Sequence, residues 1–135
     1  IAKYKAALAR ASTRPQFRDN IRLQIGHCFL QSRDYRQART LFLNLIENCA
    51  GNDSQILGGA YLGLGECYFE RRQIKEALLC FLRVIFLYGN NDNDYVKAAY
   101  GRAADCCQLL ENKNPDYGQR AQQLRQMGKQ RFQGS

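Results

Sequence analysis

Few residues in this chain are equipped for chemistry. His27 is the sole histidine, and Cys28 follows it directly. A thiol beside an imidazole can act as nucleophile and base. On a helix, however, sequence neighbours point about 100° apart, so this pair does not face itself. The run Gly63-Leu64-Gly65-Glu66-Cys67 has the look of a phosphate-cradling loop. It lacks the preceding strand and the final glycine that such a loop needs. Glu66 and Glu70 stand one helical turn apart, as paired acid–base carboxylates would. A solvated acidic face is the commoner meaning of that spacing. Asp92-Asn93-Asp94 offers oxygens to calcium, but no glutamate closes a loop at the twelfth position. Cys28, Cys49, Cys67, Cys80, Cys106 and Cys107 include no Cys-x-x-Cys pair, and one histidine cannot complete a zinc set. These residues therefore predict no catalytic group, no metal and no cofactor. The cysteines read as reduced core residues rather than a disulfide framework, which favours a reducing compartment.

The elements that must position these residues are helical. Ala, Leu, Gln and Arg are abundant, β-branched residues are scarce, and only Pro15 and Pro115 interrupt the chain. With 45% hydrophobic residues in 135, one domain with a real core is expected. No apolar run reaches the roughly 20 residues of a membrane span. The chain starts at Ile1 without a signal-like stretch, as an excised fragment would. Charge is uneven: nine basic against two acidic residues over 1–40, six against nine over 41–111, and five against one thereafter. The basic ends raise the question of nucleic acid or an acidic surface. Their arginines scatter around helices without interleaved aromatics, so a solvated basic face is the expectation.

Sliding the chain on itself until Ile21 meets Ala60 superimposes 21–46 on 60–85 without gaps. Gly26 falls on Gly65, Cys28-Phe29 on Cys67-Tyr68, Ala38 on Ala77 and Phe42 on Phe81. A second step of the same length brings Tyr61 to Tyr100 and Cys67 to Cys106, after which Asn112–Tyr117 interrupts the third copy. Such a period marks stacked units. Within each unit the apolar residues recur at helical spacing on either side of a short polar turn, which predicts a helical hairpin. Gly65 is expected where two helix backbones approach, faced by the methyl of Ala77, with Tyr68 and Phe81 filling the space beside it.

These residues resemble the tetratricopeptide repeat. One copy carries Ile25-Gly26, Phe29, Tyr35, Ala38, Phe42 and Leu45. The next carries Tyr61, Leu64-Gly65, Tyr68, Ala77, Phe81 and Val84. Arg33 and Arg72 stand where the family's inner-turn glycine would be, and Ala50 and Gly89 replace its closing proline. The 39-residue unit, with longer inter-repeat loops, is similar to bacterial envelope-associated members, which points to a periplasmic setting against the cysteine argument. The resemblance implies an all-α, right-handed superhelix of about seven helices in a single domain. It would comprise an orphan helix of a preceding repeat (1–15), repeats at 16–53 and 54–92, and a degenerate repeat or cap at 93–135.

The resemblance also implies function: a non-catalytic protein–protein interaction module, part of a larger chain, holding a peptide or helix in a concave groove. Its inner wall would carry Leu23, His27, Leu30, Leu62, Glu66, Phe69, Glu70, Arg102 and Asp105. Glu66, Glu70 and Asp105 would select positive charge. Substitution at Leu62 or Phe69 should weaken capture without unfolding. The family's carboxylate clamp has only Arg102 to serve it here. The competing readings are self-association through exposed solenoid ends, a basic-patch nucleic-acid or acidic-surface binder, and a groove partly filled by the chain's own terminal helix.

Overall fold

The computed structural model describes residue 5, residues 14–89 and residues 94–133. Six helices run through them: α1 (Pro15–Gln31), α2 (Tyr35–Asn48), α3 (Ser54–Glu70), α4 (Ile74–Leu87), α5 (Asp94–Leu110) and α6 (Asp116–Gln133). A 3-10 turn, Ala50–Asn52, precedes α3. No strand occurs among the described residues, so the fold is all-α. The expected orphan helix at 1–15 lies outside the described residues except at Lys5, Arg14 and Pro15. Pro15 opens α1, where a missing N–H costs nothing.

The turns explain the hairpins. Arg33 and Arg72 both adopt left-handed backbone, with φ of 62° and 65°. The Asp34 N–H then donates to the Phe29 carbonyl at 2.8 Å, and the Gln73 N–H to the Tyr68 carbonyl at 2.9 Å. This is the six-to-one closure by which a helix stops and the chain reverses. A glycine would adopt that φ freely; an arginine does so at a cost of about 1 kcal/mol. Two helix starts are set by side-chain caps. Asp34 accepts from the Gln37 N–H to cap α2, and Asp53 accepts from the Gln55 and Ile56 N–H groups to cap α3. Asp19 is buried and accepts from the Ala50 N–H at 2.8 Å, tying α1 to the 3-10 turn.

Consecutive helices pack on one another. In addition α1 packs on α3, and α3 on α5, so odd helices form one layer and even helices cover them. Leu23, Ala38, Phe42, Leu45, Ile56, Ala60, Leu64, Cys67 and Cys80 form one core cluster. A second gathers around Phe81, Val84, Val96, Tyr100, Cys106, Cys107 and Leu110. Tyr61, Tyr68 and Tyr95 pack against both. All six cysteines are free, and four are buried. Burial pushes the thiol of Cys67 up to about 12, that of Cys106 to about 12 and that of Cys80 to about 11, so these three stay protonated at neutral pH.

The third unit is a complete hairpin despite its insertion, with α6 packed on α5 through Ala121 and Leu124. Met127 of α6 is exposed, and Gly128 lies against Tyr100. No helix among the described residues is long and apolar enough to cross a membrane.

Candidate functional site

Helix α3 is central, and its glycines account for its position. A Cβ on Gly65 would lie 2.6 Å from the Phe81 ring, and one on Gly26 of α1 would lie 2.6 Å from the Phe42 ring. The tip of the same Phe42 ring also fills the space over Gly63, where a Cβ would come within 2.3 Å. The neighbour that needs the glycine is thus the aromatic ring itself rather than a facing alanine methyl. Gly59 leaves room for Leu23 of α1 and Tyr95 of α5 to converge over α3. Each glycine costs the helix about 1 kcal/mol in propensity and admits a ring in exchange.

On the open side of the odd-numbered layer, four expected site residues meet. The Arg102 guanidinium lies 4.1 Å from the centre of the Phe69 ring. It donates through Nε and Nη2 to both Glu66 oxygens, at 2.7 and 2.8 Å. Asp105 accepts from Arg102 at 3.5 Å and from Arg125 of α6 at 3.0 Å. The planar fork fixes the cation over the ring. The charges of Glu66 and Asp105 are therefore met by arginines of this chain, which removes the reason to expect them to select positive charge on a partner. Glu70 lies exposed at the end of α3.

Other expected wall residues are placed differently. Leu23 is 2% exposed and Leu62 8%, so both belong to the core. Leu23 lies against α3 at Gly59 and Leu62 belongs to the second core cluster, so the substitution Leu62→Glu would bury a charge rather than test a surface. Leu30 is half-buried against the first cluster. His27 is stacked on Tyr95, ring centres 5.8 Å apart, and meets the Phe42 ring edge-on at 5.2 Å. Its Nε2 is buried without a hydrogen-bond partner. Burial lowers the imidazole pKa, and the nearby Gly59 carbonyl only partly offsets that. Cys28 does not meet this ring among the described contacts. No cluster of three or more His, Cys, Asp or Glu side chains able to hold a metal occurs among the described residues.

Three depressions follow one another along this side. The first, about 290 Å³, is lined by Gln16, Phe17, Asn20, Leu23, Asp53, Gln55, Ile56 and Tyr95. The second, about 580 Å³, runs past Asp94, Ala98, Gly101, Arg102 and Arg125. The third, about 420 Å³, is bounded by Phe69, Asp105, Gln108 and Leu109. Reading the wall from the family pattern misses Phe17 and Tyr95. The signal for them was present: Phe17, Ile56 and Tyr95 are successive repeat equivalents, one from the first turns of each odd helix. Arg125 carried no such signal, because α6 lies beyond the interruption in the repeat. No family model, curated protein or solved structure matches the chain.

Proposed function

We propose that this chain is a tetratricopeptide-like interaction module that holds a segment of a partner protein along the open side of α1, α3 and α5. One observation carries the reading. The three odd helices each contribute their register-equivalent apolar residue, Phe17, Ile56 or Tyr95, to a single depression rimmed by the amides of Gln16, Asn20 and Gln55 and by the Asp53 carboxylate that caps α3. Phe17 is 55% exposed there, with no core role to explain it. Apolar anchors under a rim of amides suit a segment that inserts one bulky apolar side chain while its backbone bonds to the rim. Beyond the anchor, the Glu66–Arg102–Asp105–Arg125 network is charge-balanced, so the neighbouring stretch of partner is polar rather than strongly charged. The repeat spacing, the glycine-and-ring crossings and the reversed turns at Arg33 and Arg72 support the family assignment within this proposal.

The test is selection of binding peptides from a random phage-displayed library against the chain. Enriched peptides should share one large apolar residue. Phe17→Asp should weaken them about tenfold or more. Leu43→Asp, on the far side of α2, should not. Enriched peptides indifferent to Phe17→Asp would overturn the assignment of this side.

A further inference from the structure

The even-numbered helices form the opposite layer, and two of them can be compared position by position. Thr40, Glu47 and Asn48 of α2 fall, one repeat on, at Leu79, Phe86 and Leu87 of α4. The backbone setting is the same in both repeats, so the repeat itself tolerates polar residues there. In α4 these three side chains are nonetheless apolar and 52%, 63% and 59% exposed. With half-buried Leu82 they form one stripe at helical spacing. On α6 the exposed residues are chiefly Gln, Arg and Lys. Isolated exposed leucines are ordinary; a contiguous stripe that the fold does not require is an interaction surface.

We propose that the outer face of α4 pairs with α4 of a second copy of this chain, the helices antiparallel. This is independent of the groove described above and of the solenoid ends. The stripe complements itself: in an antiparallel register Leu79 lies opposite Phe86 of the other copy and Phe86 opposite its Leu79, as a two-fold interface requires. In the same register Leu82 lies along the aliphatic stem of the other copy's Arg83, whose guanidinium stays near the ring of its own Tyr61, 5.4 Å from the centroid. The last turn of α4 holds no basic residue. Lys75 of the other copy arrives beside those terminal carbonyls and complements the helix dipole. The open parts of the three side chains amount to roughly 300 Å² per copy, about half of what a small stable interface buries on each partner. The remainder falls to Lys75, Glu76, Leu82 and Arg83. A dimer of that size is weak and exchanges rapidly. Because each copy carries a net charge of +8, added salt strengthens it.

Sedimentation velocity on the 135-residue chain, from low to high micromolar concentration at low and high salt, tests this. The expected result is a mass rising from that of one chain toward twice that with concentration, more readily at high salt. The triple variant Leu79→Thr, Phe86→Glu, Leu87→Asn installs the residues that α2 already carries at these places. It should keep its helical circular dichroism and raise the dissociation constant at least about tenfold. A chain that stays monomeric throughout would overturn the proposal, as would a dimer that survives the triple variant. So would binding to phosphatidylserine vesicles that weakens with salt and is lost in the triple variant without any dimer, which would assign the stripe to a lipid surface instead.

Discussion

The two crossings that α3 makes with its neighbours are built from different physics. Toward α1, the Phe42 ring is slotted between Gly26 and Gly63, with no room for a Cβ on either. Toward α5, the counterpart of Gly63 one repeat later is Arg102, and a full side chain leaves the helix there. That side chain lies over Phe69 and binds Glu66 and Asp105 at the open surface. The first crossing is held by close packing, which is stiff and intolerant of volume. The second is held at its rim by an Arg102–Glu66 pair about a quarter exposed, of a kind that is individually weak. The repeat thus keeps its geometry at one crossing and leaves adaptable chemistry at the other, and the second depression of the open side lies at the latter.

The largest effect that would break this contrast comes from Gly63. Gly63→Val should destabilise the chain by about 3 kcal/mol, because the Phe42 ring wedged between Gly26 and Gly63 leaves no room for added volume. Chemical denaturation would read it, and Phe42→Leu in the same background should recover part of the loss. Arg102→Ala should cost only about 1 kcal/mol and respond to salt, since it removes partly exposed pairs and the cover of one ring. Equal losses at Gly63 and Arg102 would remove the distinction between the crossings.

His27 sharpens the contrast through pH. Its folded pKa is lowered by burial, so the unfolded chain binds the proton more readily. Stability is therefore full above the unfolded value of about 6.5 and falls as pH drops below it, toward the lowered folded pKa. Thermal melts of His27→Gln should lose this dependence between about pH 5 and 7 while Arg102→Ala keeps it. The smallest effect is expected at Gly101. A Cβ there would meet nothing within 4 Å, in contrast to Gly63. Gly101→Ala should stabilise α5 by about 0.5–1 kcal/mol, and any destabilisation would show that this crossing too depends on close approach.

Much of the architecture was legible in the chain. The internal repeat located the hairpins, put Gly26 with Phe42 and Gly65 with Phe81 at equivalent crossings, and set the turns at Arg33 and Arg72, because local periodicity is written in consecutive residues. The site was less legible. Leu23 and Leu62 look like wall residues from their repeat position, yet both are buried in the core clusters. Glu66 and Asp105 look like free carboxylates until α5 and α6 bring arginines to them. Phe17 and Tyr95 are linked by the same repeat shift as Ile56, in the first turns of their helices, ahead of the family pattern.

The sequence by itself determined the helices and their turns, since these depend on spacing within a few turns of chain. Only the tertiary structure decided which apolar residues stay open and which charges are already neutralised. Exposure and ion pairing depend on what a residue a full repeat away places beside a given side chain, and that separation carries no local signal.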